Sequence, residues 1–152
     1  MKNLLNPDVR KKIMERVTSL VSDDKAQWGK MNVHQMVVHC TDQLRMASGE
    51  TGTAFVGNPL STTLLKYLIL TVVPAPKGKI ETVPELKQGA GGTKPEEFNA
   101  DKEKLVKMIS ETETILRSDI KVKHPFFGAM SKNEWGRLCW LHLDHHLRQF
   151  GK

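Results

Sequence analysis

Two segments of this sequence carry a complete helix-start signal, and nothing in it signals a strand with comparable strength. Asn32 with Gln35, and Ser131 with Glu134, each set a capping residue three positions ahead of a side chain able to reach back to it. Each pair opens a long run whose apolar residues recur at helical spacing, and no long segment alternates strictly enough to make a strand. Asn6-Pro7 and Asn58-Pro59 add two further starts, because Asn caps well and Pro fits the first helical position. The expectation is an all-α fold.

The first helix is expected from Asn6-Pro7 to about Val21, with Ile13, Val17, Leu20 and Val21 as its apolar stripe. The second runs from Asn32 to Ser48 and is closed by Gly49. A third begins at Asn58-Pro59 and carries the apolar run Leu60 to Val73, until Pro74 and Pro76 forbid its continuation. The fourth spans Glu96 or Ala100 to Leu116, and the fifth runs from Ser131 to Phe150. Between the third and fourth lies a long connection, Pro74 to Lys94, in which only Lys79 to Val83 could be a short extended piece. Its Gly89 to Gly92 tract lacks the Gly-Lys-Ser/Thr and the preceding strand of a phosphate-binding loop.

At 152 residues the chain has the size of a single domain, 1–152, which can bury a core without disulfides. Cys40 and Cys139 lie far apart, form no CxxC pair and are expected to stay thiols. The net charge of +6 is spread among acidic residues, as in Asp101-Lys-Glu-Lys104, which reads as a solvated surface rather than a nucleic-acid site. The start, Met1-Lys-Asn-Leu-Leu-Asn-Pro-Asp, turns polar too early for a secretory signal, and Leu64 to Val73 is too short to span a membrane. A cytoplasmic protein with neither nucleic-acid nor membrane partners is therefore expected. Leu60, Leu64, Leu65, Leu68 and Ile69 exceed what one narrow stripe needs, which fits either a homodimer contact or burial within the monomer.

On the last helix, Trp135, Leu138, Cys139, His142, His146, Gln149 and Phe150 fall within an arc of roughly 120°. His142 and His146 stand one above the other on that face, the placement two metal ligands on one helix require. His145 points about 80° away from the centre of the face and is left out. Two neutral imidazoles rarely complete a site, so a third ligand is sought on a facing helix. His39 offers it, at the edge of the inward sector formed by Met36, Cys40, Gln43 and Ala47. The spacing alone leaves a second reading open, in which these histidines are core residues satisfied by hydrogen bonds. The pattern also lacks the Glu that makes HExxH specific for zinc peptidases. Cys40 and Cys139 could serve as soft ligands or as small buried hydrophobes. His34 falls on the outer face of its helix, where solvent exposure is expected. His124 opens the rigid aromatic turn His124-Pro-Phe-Phe-Gly128, either a hydrophobic plug or a catalytic contributor. Asp42, about one turn from His39, could orient a ligand, relay a proton or act as a structural carboxylate.

The segments Trp28 to Cys40, His124 to Gly128, Glu134-Trp135 and His142 to Phe150 together resemble the DinB/YfiT-like superfamily over nearly the whole chain. That resemblance implies a four-helix bundle with a long crossover and a divalent metal held by three histidines, here His39, His142 and His146. Superfamily members include enzymes that work through a low-molecular-weight thiol and proteins regarded as metal-dependent hydrolases. Three neutral histidines leave open positions on Zn²⁺, Ni²⁺, Fe²⁺ or Mn²⁺, so the resemblance implies an enzyme that activates a thiol or water towards a small-molecule substrate. The alternative is a non-catalytic protein of the same fold that binds a metal or small molecule.

Overall fold

The computed structural model describes residues 1–71, 82–116 and 122–152. It is mostly helical, with a single two-stranded sheet among the described residues. Helix α1 (Pro7–Thr18) starts as expected, with the Asn6 side chain accepting from the amides of Asp8 and Val9. It ends earlier than its apolar stripe predicts. The Thr18 hydroxyl donates to the Met14 carbonyl and the Ser19 hydroxyl to that of Arg16, and such local bonds compete with the helical ladder. Leu20 still reaches the core, whereas Val21 faces solvent.

Helix α2 (Val33–Ser48) opens on the Asn32–Gln35 capping box and closes at Gly49, whose φ of 88° is the left-handed cap that favours glycine. The third apolar segment does not form one continuous α-helix. Thr62 and Thr63 turn their hydroxyls back onto the carbonyls of Asn58 and Pro59, and Ser61–Leu65 widens into a π turn before α3 (Lys66–Thr71). The remainder of that segment and most of Lys79 to Val83 lie outside the described residues. Leu60, Leu64 and Leu65 are exposed, with Phe55, Val56 and Tyr67 beside them in sequence.

A short 3₁₀ turn, Pro84–Leu86, precedes α4 (Phe98–Ser110), whose first amides are capped by the Glu97 carboxylate. The expected fourth helix breaks at Glu111 and resumes as α5 (Thr112–Ile115), with the Ser110 and Thr112 hydroxyls bonded to the Lys107 and Ile109 carbonyls at the break. The aromatic turn is framed by the strands β1 (Lys123–His124) and β2 (Gly128–Ala129), paired antiparallel. Helix α6 (Lys132–Gln149) then starts on the Ser131–Glu134 capping box. Helices α1, α2, α4 and α6 pack on one another, and α3 packs on α6. They bury one continuous core that includes Ile13, Val17, Leu44, Leu105, Ile109 and Leu143. No helix among the described residues is long and apolar enough to cross a membrane.

His34, expected in solvent, is instead half-buried and joins α2 to α4. Its Nε2 donates to Asp101 at 2.8 Å and its ring meets Phe98 edge-on. The same carboxylate accepts from the Glu96 amide at 2.9 Å and from Lys104 Nζ at 3.0 Å. Burial alone would raise the Asp101 pKa, but these three donors outweigh it and bring the carboxyl down to about 2. Asp101→Ala strands the Glu96 amide and His34, so a loss of about 2 kcal/mol in urea unfolding is expected. A change below about 0.5 kcal/mol would mean that the cluster is solvated and marginal.

Candidate metal centre

The site is built where α2 faces α6. His39 meets His142, while Gln43, one turn further along α2, meets Cys139, which lies earlier on α6. The two helices therefore run antiparallel here, and each pairing is a rung between them. The ring centroids lie 4.9 Å apart for His39 and His142, 4.9 Å for His39 and His146, and 4.6 Å for His142 and His146. One ligand nitrogen from each of the three histidines falls within 4.8 Å of the others.

Hydrogen bonds decide which nitrogens of His39 and His146 are free. His39 Nδ1 lies 3.1 Å from the Leu86 carbonyl, which can only accept, so Nδ1 carries the proton and Nε2 the lone pair. Gln149 Nε2 donates to the Trp28 carbonyl at 2.6 Å, which turns Gln149 Oε1 towards His146 Nδ1 at 2.9 Å. His146 must then donate from Nδ1, leaving its Nε2 lone pair free. Partners of this kind, one shell out, fix the tautomer and orientation of metal-ligating imidazoles. His142 Nε2 lies 3.0 Å from His39 Nε2, and its Nδ1 is buried with no partner. With Nδ1 uncommitted, the ring proton can move there and Nε2 can offer its own lone pair.

Electrostatics point the same way. Burial lowers the pKa of His39 despite opposing help from Leu86 and Asp42. Burial, followed by repulsion from His146 and His39, holds His142 well below the usual histidine range. His146 is brought down to about 3, chiefly by burial. All three are neutral at physiological pH, which is the ligating form. A tetrahedral cation with metal–nitrogen bonds of about 2 Å would set its ligands about 3.3 Å apart, near the His39–His142 spacing. The residues fit a divalent metal, and the donor set alone does not select which one.

The other candidate residues are placed elsewhere. Asp42 accepts from the Thr93 amide at 2.9 Å and the Thr93 hydroxyl at 2.6 Å, tying the loop before α4 onto α2. His124 Nδ1 accepts from the amides of Phe126 and Phe127, each at 3.2 Å, and its ring stacks on Phe127. Neither belongs to the three-histidine group. Cys40 and Cys139 are fully buried, and burial pushes both thiols up, Cys139 to about 12, so both stay protonated. His145 turns its edge towards Trp28 and His146 and is likewise outside the group.

The family model described as "Protein of unknown function (DUF1569)" matches residues 2–152. The chain belongs to this family. No curated protein and no solved structure matches it. All three histidines of the cluster lie within the stretch that defines this DUF1569 protein.

Gln149 and the Leu86 carbonyl are the functional groups that reasoning from sequence did not assign. Gln149 had a signal, its place three residues after His146 on the same face. Its approach also depends on Gly29, where φ is 82° and an added Cβ would collide with the Gln149 amide. Gln149→Leu is expected to weaken Zn²⁺ binding about 10–100-fold while leaving the helical content intact. A competition titration with a chromophoric chelator measures this, and unchanged affinity would remove Gln149 from the site.

Proposed function

We propose that this DUF1569 protein is a metal-dependent enzyme of DinB/YfiT-like architecture, a one-domain four-helix bundle in which His39, His142 and His146 hold a divalent cation. The observation that carries this reading is the convergence of three neutral imidazoles, two of them locked by Leu86 and Gln149 with their Nε2 lone pairs free. Zn²⁺, Ni²⁺, Fe²⁺ or Mn²⁺ bound there would supply Lewis acidity, lowering the pKa of a coordinated thiol or water. Three protein ligands leave room for that fourth partner, the usual mark of a catalytic rather than a structural site.

The chain's own residues do the remaining work. His39 and His146 are buried and His142 half-buried, so the cluster is largely screened from solvent. Leu86 and Gln149 keep two rings from rotating. The reaction class is transfer to or through a small thiol, or hydrolysis of a small electrophile. The test is turnover by metal-loaded protein across thiols paired with epoxides or activated alkenes, and across simple esters. Activity should vanish with a chelator and return with added metal. Stoichiometric metal with no turnover across the panel would leave a non-catalytic binding protein.

A further inference from the structure

Gln43 is 4% exposed and lies one rung beyond the histidines. Its amide nitrogen donates to Cys139 Sγ at 3.5 Å, while its Oε1 is buried with no hydrogen-bond partner. A buried amide oxygen left unpaired is costly, and an apolar residue of the same size would fill the position without that cost. Counting along α2, Gln43 sits about 6 Å from His39 along the helix axis, on the same inward side. That is the reach of a small ligand whose one end meets the histidine cluster.

We propose that Gln43 reads the ligand of the metal centre: its Oε1 accepts a hydrogen bond from an O–H or N–H group carried a few bonds from the metal-bound atom. The proposal rests on the metal-centre reading above. It makes Gln43 a positioning residue that selects metal-binding small molecules bearing a donor over those that bear only apolar carbon or an acceptor. A site built to hydrogen-bond a ligand O–H discriminates against the analogue lacking it, because the buried partner is then left bare.

The probes are three thiols, chosen because a thiolate binds Zn²⁺ firmly once its proton has passed to solvent. They are 3-mercaptopropan-1-ol, which offers a donor; its methyl ether, which offers only an acceptor; and butane-1-thiol, which offers neither. Calorimetric titration of Zn²⁺-loaded protein should show the alcohol favoured about tenfold over butanethiol, relative to the same ratio in Gln43→Leu, with no such gain for the ether. Elemental analysis should find the Zn²⁺ content of that variant unchanged. Gln43→Met, closer in shape, replaces it should the leucine variant fail to fold. Equal ratios in parent and variant, an equal gain for the ether, or no thiol binding to Zn²⁺-loaded protein would each overturn the proposal. Failure to take up Zn²⁺ at all would instead bring down the metal centre, and Gln43's role with it.

Discussion

The His142→Ala protein is expected to retain less than about a tenth of an equivalent of Zn²⁺ after dialysis, where the parent chain retains about one. Removing His142 leaves His39 and His146, and two neutral imidazoles do not make a closed site. No other His, Cys, Asp or Glu among the described residues joins the cluster to compensate. His145 is the instructive control. It is closer in sequence to His146 than His142 is, yet its ring lies edge-on to Trp28 and outside the group, so His145→Ala should keep its metal. Thermal unfolding supplies a second readout. A ligand that binds only the folded chain stabilises it by about 4 kcal/mol at a thousand times its dissociation constant, and this increment should be absent from His142→Ala. Equal metal content in the parent and His142→Ala would refute the three-histidine assignment.

What could be read from the sequence was what is decided locally. The two capping boxes form as expected because each is closed by residues three apart, and Lys66, the distant partner of Glu134, takes the carboxylate oxygen that the box does not use. His142 and His146 share a face because helical spacing dictates it, and the one glycine of the last helix, Gly136, lies ahead of both, so nothing between them shifts that register. Misplaced boundaries share one cause. Thr18, Ser19, Thr62, Thr63, Ser110 and Thr112 bond their hydroxyls to nearby carbonyls, and whether such a bond ends, widens or merely decorates a helix depends on packing that a one-dimensional pattern lacks. The helical pattern turns His34 outward, yet Asp101, distant in sequence, covers it.

The site divides along the same line. His39 stands at the edge of its helix's apolar sector, where helical spacing makes it a candidate third ligand but gives it no privilege over a core residue; the family resemblance is what favours the ligand. Its hydrogen-bond partner is the carbonyl of Leu86, in a turn whose amino-acid pattern carries no trace of that contact. The Trp28 carbonyl that orients Gln149 is equally silent, since a backbone acceptor is present at every residue. Groups that position the imidazoles are thus harder to read than the imidazoles themselves.

The burial of His124, outside the cluster, is measurable through pH. Burial lowers its pKa from the ordinary 6.5 to about 4. Its Nδ1 already accepts two amide hydrogens, so a proton there would face two donors. In the unfolded chain the ring takes up a proton as pH falls through about 6.5, but in the folded chain not until about 4. Over that window the unfolded state binds more protons, so stability rises with pH, and His124's contribution is complete above about 6.5 and lost towards about 4. The slope is about 1.4 kcal/mol per pH unit for one such group. His124→Asn isolates it, because the amide oxygen of Asn can occupy the place of Nδ1 and accept from Phe126 and Phe127 without titrating. Urea unfolding of metal-free protein at pH 7, 6 and 5 should therefore show a shallower fall in the variant, by roughly that slope between pH 6 and 5. His39, His142 and His146 are present in both proteins, so what burial does to them cancels in the comparison, and only the repulsion of His142 by His124, the smallest of the causes that lower His142, differs between the two. Parallel curves for the two proteins would mean that His124 titrates as freely when folded as when unfolded, and the turn would then be a solvated loop rather than a buried plug at the end of α6.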